Sequence, residues 1–501
     1  MEKTVPTLAA PVALGELLAA ARLDGGGAAG VPVTGLDYDS RRIGPGFVFF
    51  AFAGARTDGL KFARQAMELG AVAVVSESAA PDGFDAPWIR APHGRKALAQ
   101  MARRFYANGA ARVALTGITG TNGKTTTSCL LDTILRQAGH TTALVGTIEY
   151  HVAGEPRAAV NTTPESVDTY RLLDELAAMG GDRATMEVSS HALRLGRVWG
   201  FEFHTAVFTN LTRDHLDFHS SEADYFDAKC ELFRGQDAAA PRWAVINADS
   251  EWSARIPLAK ETQVIRFGQA AGADLRASAV TSGFEGLRFA VEWEGRKHRV
   301  SSPLNGSINV ENILAAFGAG LSFGIAPEKI AQGVALRRSV PGRFERVDGA
   351  QPFLVVVDYA HTDDALARTI QVARGLTSGR VITLFGCGGD RDRAKRPRMG
   401  QTAGRLSDYV VLTSDNPRTE EPLGIINDAL VGLQRTETPY RVELDRAAAI
   451  EIALREARRG DVVLLAGKGH ETYQVLADRT IHFDDRETAA EVLERLGYGE
   501  A

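Results

Sequence analysis

The 501-residue sequence has little of several features that mark specialised classes of protein. Its three cysteines, Cys129, Cys230 and Cys387, are too far apart to suggest a metal-binding pair or a disulfide framework. It contains no run of about 18 apolar residues, so we expect no transmembrane helix and no membrane partner. The first residues lack the basic start and the apolar stretch of a signal peptide. These absences predict a cytoplasmic protein.

The sequence also lacks a basic tail or block, and its formal net charge is −5. A nucleic-acid partner is therefore not expected. Hydrophobic residues make up 45% and charged residues 24% of the chain, which is the balance of an ordinary globular protein. A chain of this length predicts about three domains, and we expect a monomeric multidomain enzyme.

Apolar, β-rich runs alternate with helix-like segments along most of the chain. This alternation predicts an α/β fold with parallel sheets whose faces are covered by helices. Changes in composition and a turn-rich stretch near residue 340 place the domains at 1–107, 108–340 and 341–501. Several of the apolar runs end in polar or glycine residues, at the edge where ligands of such sheets bind.

The stretch "GITGTNGKTTT", residues 117–127, has the sequence of a phosphate-binding loop between a buried strand and a helix. Gly120 and Gly123 allow backbone N–H groups to converge on phosphate oxygens. Lys124 supplies a charge for the phosphates, and Thr125 supplies a hydroxyl for Mg²⁺. Ile118 stands where the common pattern has its first glycine. The alternative is a glycine-rich turn that only precedes a helix.

Two other polar groups are candidates for metal binding. Glu187 lies in a strand-like run, where a buried carboxylate is costly unless it is paired or binds a metal such as Mg²⁺. Asp214, His215, Asp217 and His219 are crowded together, and their spacing fits either a transition-metal site or a solvated turn.

"TGTNGKTTT" resembles the nucleotide loop of the Mur ligases, which form amide bonds in peptidoglycan precursors at the expense of ATP; folylpolyglutamate synthases are similar. The resemblance extends over nearly the whole chain. It implies a UDP-binding α/β domain, a central ATPase-type domain and a carboxy-terminal Rossmann-like domain. The residues that it assigns to the nucleotide are Gly120, Thr121, Asn122, Gly123, Lys124, Thr125, Thr126, Asn309, Asn312, Arg343 and Asp358.

The resemblance also implies the catalytic group, which consists of Lys124, Glu187, His215 and Lys229. Lys229 matches a lysine that reacts with CO₂ to form a carbamate, an oxygen anion that can bind Mg²⁺. Without the resemblance, a lysine in "FDAKCELF" would be interpreted as an exposed helix residue. The implied metal ligands are Thr125, Glu187, His215 and the carbamate of Lys229.

The UDP-linked substrate is expected to contact residues from two parts of the chain. The family positions for it are Ser40, Asn161, Thr162, Thr163, Ser189 and Arg197, with Arg41, Ala55, Arg56 and Thr57 in the same cradle. Two departures from the family pattern lie nearby, Tyr38 in the cradle and Leu195 where a glutamine is expected. By itself, "NTTPES" (161–166) is also typical of a helix N-terminus.

"TSDNPRTEEP" (413–422) contains the Asp-Asn-Pro-Arg signature of ligases that add meso-diaminopimelate. An arginine can hold a carboxylate through two parallel hydrogen bonds, and meso-diaminopimelate differs from lysine by a second carboxylate. The residues expected to bind this amino acid are Arg391, Asp415, Asn416, Pro417, Arg418, Gly467 and Glu471. Asp363 stands where the family has proline.

The resemblance thus implies an ATP-dependent ligase that adds meso-diaminopimelate to the D-glutamate of UDP-N-acetylmuramoyl-L-alanyl-D-glutamate through an acyl phosphate. Closure of the third domain over the second is expected to assemble the site. Three alternatives stay open. They are the same reaction with L-lysine, a folylpolyglutamate synthase-like ligase, and a nucleotide switch that hydrolyses ATP to change partners.

Overall fold

The computed structural model describes residues 10–24, 29–52, 58–215 and 218–499. They form two compact units, one running to Leu275 and including Ala315–Gly333, the other comprising Arg276–Leu314 and the chain from Val334 onward. Within these described ranges, no helix is both long enough and apolar enough to span a membrane. The domain boundaries at 107 and 340 stay a prediction.

The first unit begins with a four-stranded parallel sheet in the order β3-β4-β5-β6. Its central strands read "FVFFA" and "AVVS" and are almost wholly buried, which is typical of parallel strands covered on both faces. The elements here are β1 (Val12–Ala13), α1 (Leu14–Ala20), β2 (Pro32–Val33), β3 (Gly35–Asp37), β4 (Phe47–Ala51), α2 (Ala63–Glu68), β5 (Ala73–Ser76), β6 (Trp88–Arg90), α3 (Gly94–Phe105) and α4 (Ala107–Ala110).

The same unit contains a larger sheet in the order β10-β9-β8-β11-β7-β12-β13-β14. The six strands from β8 to β14 in this order are parallel, and β9 and β10 are antiparallel additions. Its elements are β7 (Ala114–Thr119), α5 (Lys124–Gln137), β8 (Thr142–Val145), β9 (Glu149–Val152), β10 (Glu155–Ala158), α6 (Ser166–Ala178), β11 (Arg183–Glu187), α7 (Ser190–Leu195), β12 (Phe203–Phe208), α8 (Glu222–Arg234), β13 (Trp243–Asn247) and β14 (Gln263–Gly268).

The second unit includes an antiparallel meander that the sequence interpretation did not anticipate. It consists of β15 (Leu275–Gly283), β16 (Gly286–Trp293) and β17 (Arg296–Ser302). Two helices follow along the chain, α9 (Ile308–Ser322) and α10 (Pro327–Leu336), and their residues between Ala315 and Gly333 belong to the first unit. In β16, buried and more exposed residues alternate, as expected when one face of an antiparallel strand packs inward.

The chain from Val334 onward forms a sheet in the order β18-β19-β23-β20-β21-β22, parallel except for β18. Two apolar clusters cover its two faces. The elements are β18 (Glu345–Arg346), β19 (Leu354–Asp358), α11 (Asp363–Leu376), β20 (Val381–Cys387), α12 (Lys395–Leu406), β21 (Tyr409–Ser414), α13 (Pro422–Leu433), β22 (Tyr440–Glu443), α14 (Arg446–Glu456), β23 (Val462–Ala466), β24 (Tyr473–Val475), β25 (Thr480–His482) and α15 (Asp485–Arg495). The predicted α/β class is confirmed.

A buried ion pair fastens the carboxyl ends of β21 and β23 in this sheet. Arg446, the first residue of α14, donates two hydrogen bonds of 2.7 Å to Asp485, and both side chains are fully buried. The same guanidinium donates to the carbonyl oxygens of Ser414 (3.3 Å) and Ala466 (3.0 Å), which end the two strands. The loops that follow these strands therefore start from fixed positions.

Candidate functional site

The predicted phosphate loop lies between β7 and α5, in the strand–loop–helix context that the sequence indicates. Gly123 precedes the helix with φ +87°, and Gly120 has φ +148°. A Cβ atom at position 120 would lie 1.9 Å from Oγ1 of Thr209, so only glycine fits there. The apolar residues of α5 are all buried, namely Leu130, Leu131, Ile134 and Leu135.

The segment after β12 holds this loop in place. The Thr121 amide donates to the Asn210 carbonyl (2.9 Å), and the Asn122 amide donates to Oδ1 of Asn210 (2.9 Å). Thr209 Oγ1 donates to the Asn122 carbonyl at 2.6 Å. Asn210 was not predicted from the sequence, although a polar residue just beyond a buried strand was an available signal.

Two lysines meet at one carbonyl oxygen of the loop. Lys124 Nζ donates to the carbonyl oxygens of Gly120 (2.8 Å) and Thr121 (2.9 Å). Lys229 Nζ, from α8, donates to the same Gly120 oxygen at 2.9 Å and lies 4.3 Å from the ring centroid of Tyr225. The structure therefore brings the two predicted catalytic lysines together.

Lys229 is 1% exposed, so the interpretation of this position as a solvent-facing helix residue is wrong. Burial lowers the pKa of its ammonium well below the ordinary value, the nearby charge of Lys124 lowers it further, and Asp214 opposes both effects. Among the described residues, no carboxylate forms an ion pair with Lys229. A lysine in this setting favours the neutral, nucleophilic amine.

The Glu187 carboxylate ends β11 beside the start of α5 and is 1% exposed. It accepts hydrogen bonds from the hydroxyls of Thr125 (3.0 Å) and Thr147 (3.0 Å) and from the Thr147 amide (2.8 Å). All of these donors are neutral, so the buried carboxylate has hydrogen bonds but no balancing cation among the described residues. The two oxygen-bearing metal candidates, Thr125 and Glu187, are therefore adjacent.

His215 has φ +53° and packs edge-on against the rings of His191 (4.9 Å) and Tyr225 (5.8 Å). The Lys229 ammonium also lies over the Tyr225 ring. This ring is therefore next to two of the predicted metal ligands, His215 and Lys229. His219 instead is buried and shares a hydrogen bond of 2.9 Å with Ser190. Asp217 lies outside the described residues. Across the ranges that the structure describes, no three His, Cys, Asp or Glu side chains are arranged to hold a metal by themselves.

The residues expected to bind the UDP-linked substrate in the central region form one network. Thr163 Oγ1 donates to the Glu187 carbonyl (2.9 Å) and accepts from the Ser189 amide (3.1 Å). Arg197 donates to the Thr163 carbonyl at 3.1 Å. Thr162 shares a 3.1 Å hydrogen bond with Thr147, and the Asn161 carbonyl accepts from Tyr150 at 2.6 Å. This network connects the expected substrate residues to Glu187.

Just after β3, in a short 3-10 turn, Ser40 is buried and donates to Gln65 at 3.1 Å, and Arg41 pairs with Asp39 near the surface. The Tyr38 hydroxyl donates to Asp168 at 2.7 Å, which gives this departure from the family pattern a structural partner. Ala55, Arg56 and Thr57 lie outside the described residues. Leu195 ends α7 and is half-buried.

The other predicted nucleotide residues lie in the second unit. Asn312 donates to Oδ1 of Asn309 at 2.9 Å, and both side chains are buried on one face of α9, as their spacing indicates. Asp358 ends β19 and accepts from the Phe344 amide at 2.8 Å. Burial raises the pKa of Asp358, and the Arg343 charge opposes this rise. Asp363 opens α11, where a negative charge favours the helix N-terminus.

The residues expected to bind the amino acid surround the ends of β20, β21 and β23. Arg418 has φ +53°, and one guanidinium nitrogen donates to the Gly389 carbonyl at 2.7 Å. Its other guanidinium nitrogens make no hydrogen bond to a described residue. A Cβ atom at Gly388 would lie 3.0 Å from the Arg418 guanidinium and 3.8 Å from Arg391 Cγ, so both arginines flank this glycine.

Asn416 contacts both the Arg418 guanidinium and the Glu471 carboxylate. Its side chain donates to Glu471 at 2.8 Å and accepts from the Val475 amide at 2.9 Å. The buried Lys468 lies 3.4 Å from Glu471 and 3.5 Å from Asp415. Burial raises the pKa of Glu471, Asp415 raises it further, and Lys468 opposes both. Lys468 was missed, although it stands inside the motif "GKGHE".

Gly467 and Pro417 complete this set of predicted residues. Gly467 has φ +114°, and its amide donates to the Asp358 carbonyl at 3.0 Å. Pro417 is buried, and its carbonyl would lie 1.9 Å from a Cβ atom at Gly389. The loop after β20 and the loop after β21 therefore approach each other closely at Gly389. The expected amino-acid residues converge on one region of the second unit.

Three family models match consecutive parts of the chain. The "Mur ligase family, catalytic domain" model matches residues 32–106, the "Mur ligase middle domain" model matches 118–320, and the "Mur ligase, glutamate ligase domain" model matches 342–469. Together they cover most of the described sheets.

Relatives match along their whole lengths. A protein from Solibacter usitatus (strain Ellin6076) named UDP-N-acetylmuramoyl-L-alanyl-D-glutamate–2,6-diaminopimelate ligase is 59% identical, over 97% of this chain and 99% of the relative. A solved structure with the same name shares 30% identity, with a TM-score of 0.71, over 97% of this chain and all of that one. MurF from Acinetobacter baumannii, at 20% identity and a TM-score of 0.67, covers 92% of this chain and 96% of its own, and shows the shared fold.

Proposed function

Because this chain belongs to the Mur ligase family, we propose that it is an ATP-dependent ligase for UDP-N-acetylmuramoyl-L-alanyl-D-glutamate and meso-diaminopimelate. The product is an amide between the D-glutamate side-chain carboxylate and an amine of the diaminopimelate. The observation that carries the choice of amino acid is the placement of Arg418 and Glu471, both in contact with Asn416. A relative named for this reaction is 59% identical over nearly the entire chain.

The first step transfers the γ-phosphoryl group of ATP to the carboxylate. A carboxylate oxygen attacks the γ-phosphorus, the bond to the β–γ bridging oxygen breaks, and ADP leaves. The loop from Gly120 to Thr126 supplies backbone N–H groups for the phosphates, and Lys124 offsets their charge. Asn309, Asn312, Arg343 and Asp358 are proposed to bind the rest of the nucleotide.

The second step forms the amide. The amine nitrogen attacks the carbonyl carbon of the acyl phosphate, and a tetrahedral intermediate collapses as the carbon–oxygen bond to phosphate breaks. The amine loses a proton as the amide forms. Phosphorylation makes this possible because phosphate is a far better leaving group than the oxide of a free carboxylate.

Mg²⁺ fits the oxygen-bearing side chains of the first unit. We propose that Thr125, Glu187, His215 and a carbamate on Lys229 hold it. The support is a buried Glu187 carboxylate with neutral partners, 3.0 Å from the Thr125 hydroxyl. When bound, Mg²⁺ neutralises charge on the phosphoryl oxygens. Asn161, Thr162, Thr163, Ser189 and Arg197 position the UDP-linked peptide next to this group, and Ser40 contributes from the amino-terminal sheet.

The carbamate on Lys229 is supported by burial and by the lowered pKa of the amine. The neutral nitrogen attacks CO₂, an N–C bond forms, and a proton is released. The product replaces a neutral amine with an anion beside Lys124. The carbamate attracts the Lys124 ammonium, whereas the protonated form of Lys229 would repel it where both side chains reach the Gly120 carbonyl.

In the second unit, Arg418 and Arg391 are proposed to hold the far carboxylate of meso-diaminopimelate, and Glu471 accepts from its ammonium group. Asp415, Asn416, Pro417 and Gly467 shape the same region. L-Lysine lacks the second carboxylate and would leave the Arg418 charge without a partner. The substrates are small molecules of cytoplasmic precursor synthesis, so we place the protein in the cytoplasm, as a monomer with domains at 1–107, 108–340 and 341–501.

The test is phosphate release by the purified full-length protein with ATP, Mg²⁺, the UDP-linked dipeptide and a panel of amino acids. We expect phosphate and the amide only when the UDP-linked substrate and meso-diaminopimelate are both present. Release without the amino acid would instead support a nucleotide switch, and turnover with L-lysine would contradict the choice of amino acid.

The matched pair Arg418→Ala and Arg405→Ala tests the recognition step. Arg405 is an exposed arginine of α12 in the same unit. We expect the first variant to lose roughly 10- to 100-fold in kcat/KM for meso-diaminopimelate, as for a lost charged hydrogen bond, and the second to behave as wild type. Unchanged preference over L-lysine in Arg418→Ala would refute this assignment.

A further inference from the structure

One carboxylate oxygen in the first unit holds two arginines from distant parts of the chain. Oε1 of Glu165 accepts from Nε of Arg95 at 3.0 Å and from Nε of Arg197 at 3.1 Å. Arg95 belongs to α3, Glu165 precedes α6, and Arg197 follows α7. No motif in the sequence points to Arg95, which lies 70 residues from Glu165.

The terminal nitrogens of the two guanidinium groups make few hydrogen bonds to described residues. Arg95 uses only Nε among its nitrogens for hydrogen bonds with described residues. Arg197 uses Nε and one terminal nitrogen, which donates to the Thr163 carbonyl. The carboxylate that joins them is 6% exposed, whereas the arginine side chains are 17% and 18% exposed. The buried anion therefore anchors the Nε atoms, and part of each cation reaches solvent.

The arginine from α3 is also fixed from the side of the amino-terminal sheet. The Arg95 guanidinium lies 4.5 Å from the ring centroid of Phe52, which follows β4 directly. Phe52 in turn stacks on Tyr38 with a centroid separation of 5.9 Å. These contacts place Arg95 at the carboxyl edge of parallel strands, where ligands of such sheets bind. A cation stacked on an aromatic ring is also held in one orientation.

The charges of Arg95, Glu165 and Arg197 do not cancel one another. Two guanidinium groups share one carboxylate, so the cluster of Arg95, Glu165 and Arg197 carries one net positive charge in a largely buried setting. An anion between the free guanidinium nitrogens would balance it and would receive charge-assisted hydrogen bonds. Thr163 and Ser189, already proposed to contact the UDP-linked substrate, lie in the same network.

We propose that Arg95 and Arg197 form a two-guanidinium subsite, aligned by Glu165, that grips an anionic oxygen group of the UDP-linked substrate. The inference rests on the proposed function and adds Arg95 as a binding residue and Glu165 as a positioning residue. The anionic group is either the diphosphate or a carboxylate of the peptide, since both present oxygens to a pair of guanidinium groups.

The experiment measures binding of UDP-N-acetylmuramoyl-L-alanyl-D-glutamate to the full-length protein by calorimetry, with no ATP or amino acid present. We expect Arg95→Gln to weaken binding about 10- to 100-fold. The KM for this substrate should rise by a similar factor, while kcat and the KM for meso-diaminopimelate change less than about threefold. The control is Arg104→Gln, an arginine of the same helix that pairs with Glu16 at the surface.

Two further measurements make the outcome decisive. UDP-N-acetylglucosamine, which has the diphosphate but no carboxylate, should bind Arg95→Gln more weakly than wild type if the subsite binds the diphosphate, and equally well if it binds a peptide carboxylate. Glu165→Gln should shift the substrate KM in the same direction as Arg95→Gln, with kcat retained. If Arg95→Gln does not fold, the same binding measurement is made on Arg95→Lys. We expect this variant to bind the UDP-linked dipeptide about fivefold more weakly than wild type, because an ammonium group lacks the planar arrangement of donors of a guanidinium group.

A folded Arg95 variant that binds the UDP-linked dipeptide as tightly as wild type would overturn the inference and leave the proposed function standing. Failure of the wild-type protein to bind this substrate would overturn both. A fall in kcat and in the affinity for ATP of the same size as the fall in substrate affinity would show a structural effect and would also contradict the subsite.

Discussion

The buried pair of Arg446 and Asp485 gives a prediction whose size follows from the structure. Arg446→Met removes two 2.7 Å hydrogen bonds to a carboxylate that is fully buried, so the Asp485 charge is left without a partner. It also removes the donors to the carbonyl oxygens of Ser414 and Ala466. Breaking a buried pair from one side costs about 3–5 kcal/mol. We expect the loss in the second unit to fall in that range.

The double variant Arg446→Met/Asp485→Leu should cost much less than the two single changes together. It leaves neither charge of this pair behind, and its main remaining costs are the unpaired carbonyls, about 1–3 kcal/mol, and the lost acidic residue at the start of α15, about 0.3–1 kcal/mol. The difference between the double variant and the summed singles therefore measures the pairing itself.

Hydrogen exchange of the β21 and β23 amides provides the assay. A loss of 3–5 kcal/mol corresponds to opening roughly 140- to 4,000-fold more often, at tenfold per 1.4 kcal/mol. Arg455→Met, an exposed arginine of the same helix α14, is the control and should leave exchange unchanged. Exchange in Arg446→Met within threefold of wild type would refute the reasoning, as would a double variant as unstable as the summed singles.

The remaining predictions concern the candidate site. Gly120→Ala should abolish phosphate release without unfolding the protein, because its Cβ would collide with Thr209; activity above about one tenth of wild type would contradict the close contact. Lys229→Met should lose the carbamate carbon signal in ¹³CO₂-labelled protein and most activity; an identical signal in both proteins would disprove the assignment. Since burial raises the pKa of Glu471, its ionised form is lost on acidification at a higher pH than for an exposed glutamate, so the KM for meso-diaminopimelate should rise as pH falls. Lys468→Met removes the opposing charge and should move that rise to still higher pH, and an unmoved profile would exclude this effect.

The local features of the site were predictable from sequence because their signals are local. Glycines between a buried strand and a helix defined the phosphate loop, and the structure places Lys124 at the first turn of α5. Glu187 was likewise visible as a carboxylate within a strand-like run, and the structure places it at the end of β11. The α/β class followed from the alternation of strands and helices, which depends only on short stretches of chain.

Features that depend on contacts between distant residues were not predictable. Nothing near Arg95 in the sequence indicates that Glu165 accepts from it. The burial of Lys229 follows from how α8 packs, and an isolated lysine in a helix gives no sign of it. The antiparallel strands β15, β16 and β17 were missed because they interrupt the alternation of strands and helices on which the fold-class prediction depended.

The hydrogen bonds of Lys124 within its own loop bear on the end of the catalytic cycle. Its ammonium donates to the carbonyl oxygens of Gly120 and Thr121, so a bound nucleotide must draw it away from two partners. If ATP binds as proposed, the net attraction for its phosphates is a difference between two competing sets of contacts. The two carbonyl oxygens then compete for the ammonium with the phosphates of the spent nucleotide as well, which weakens the affinity of the loop for that product.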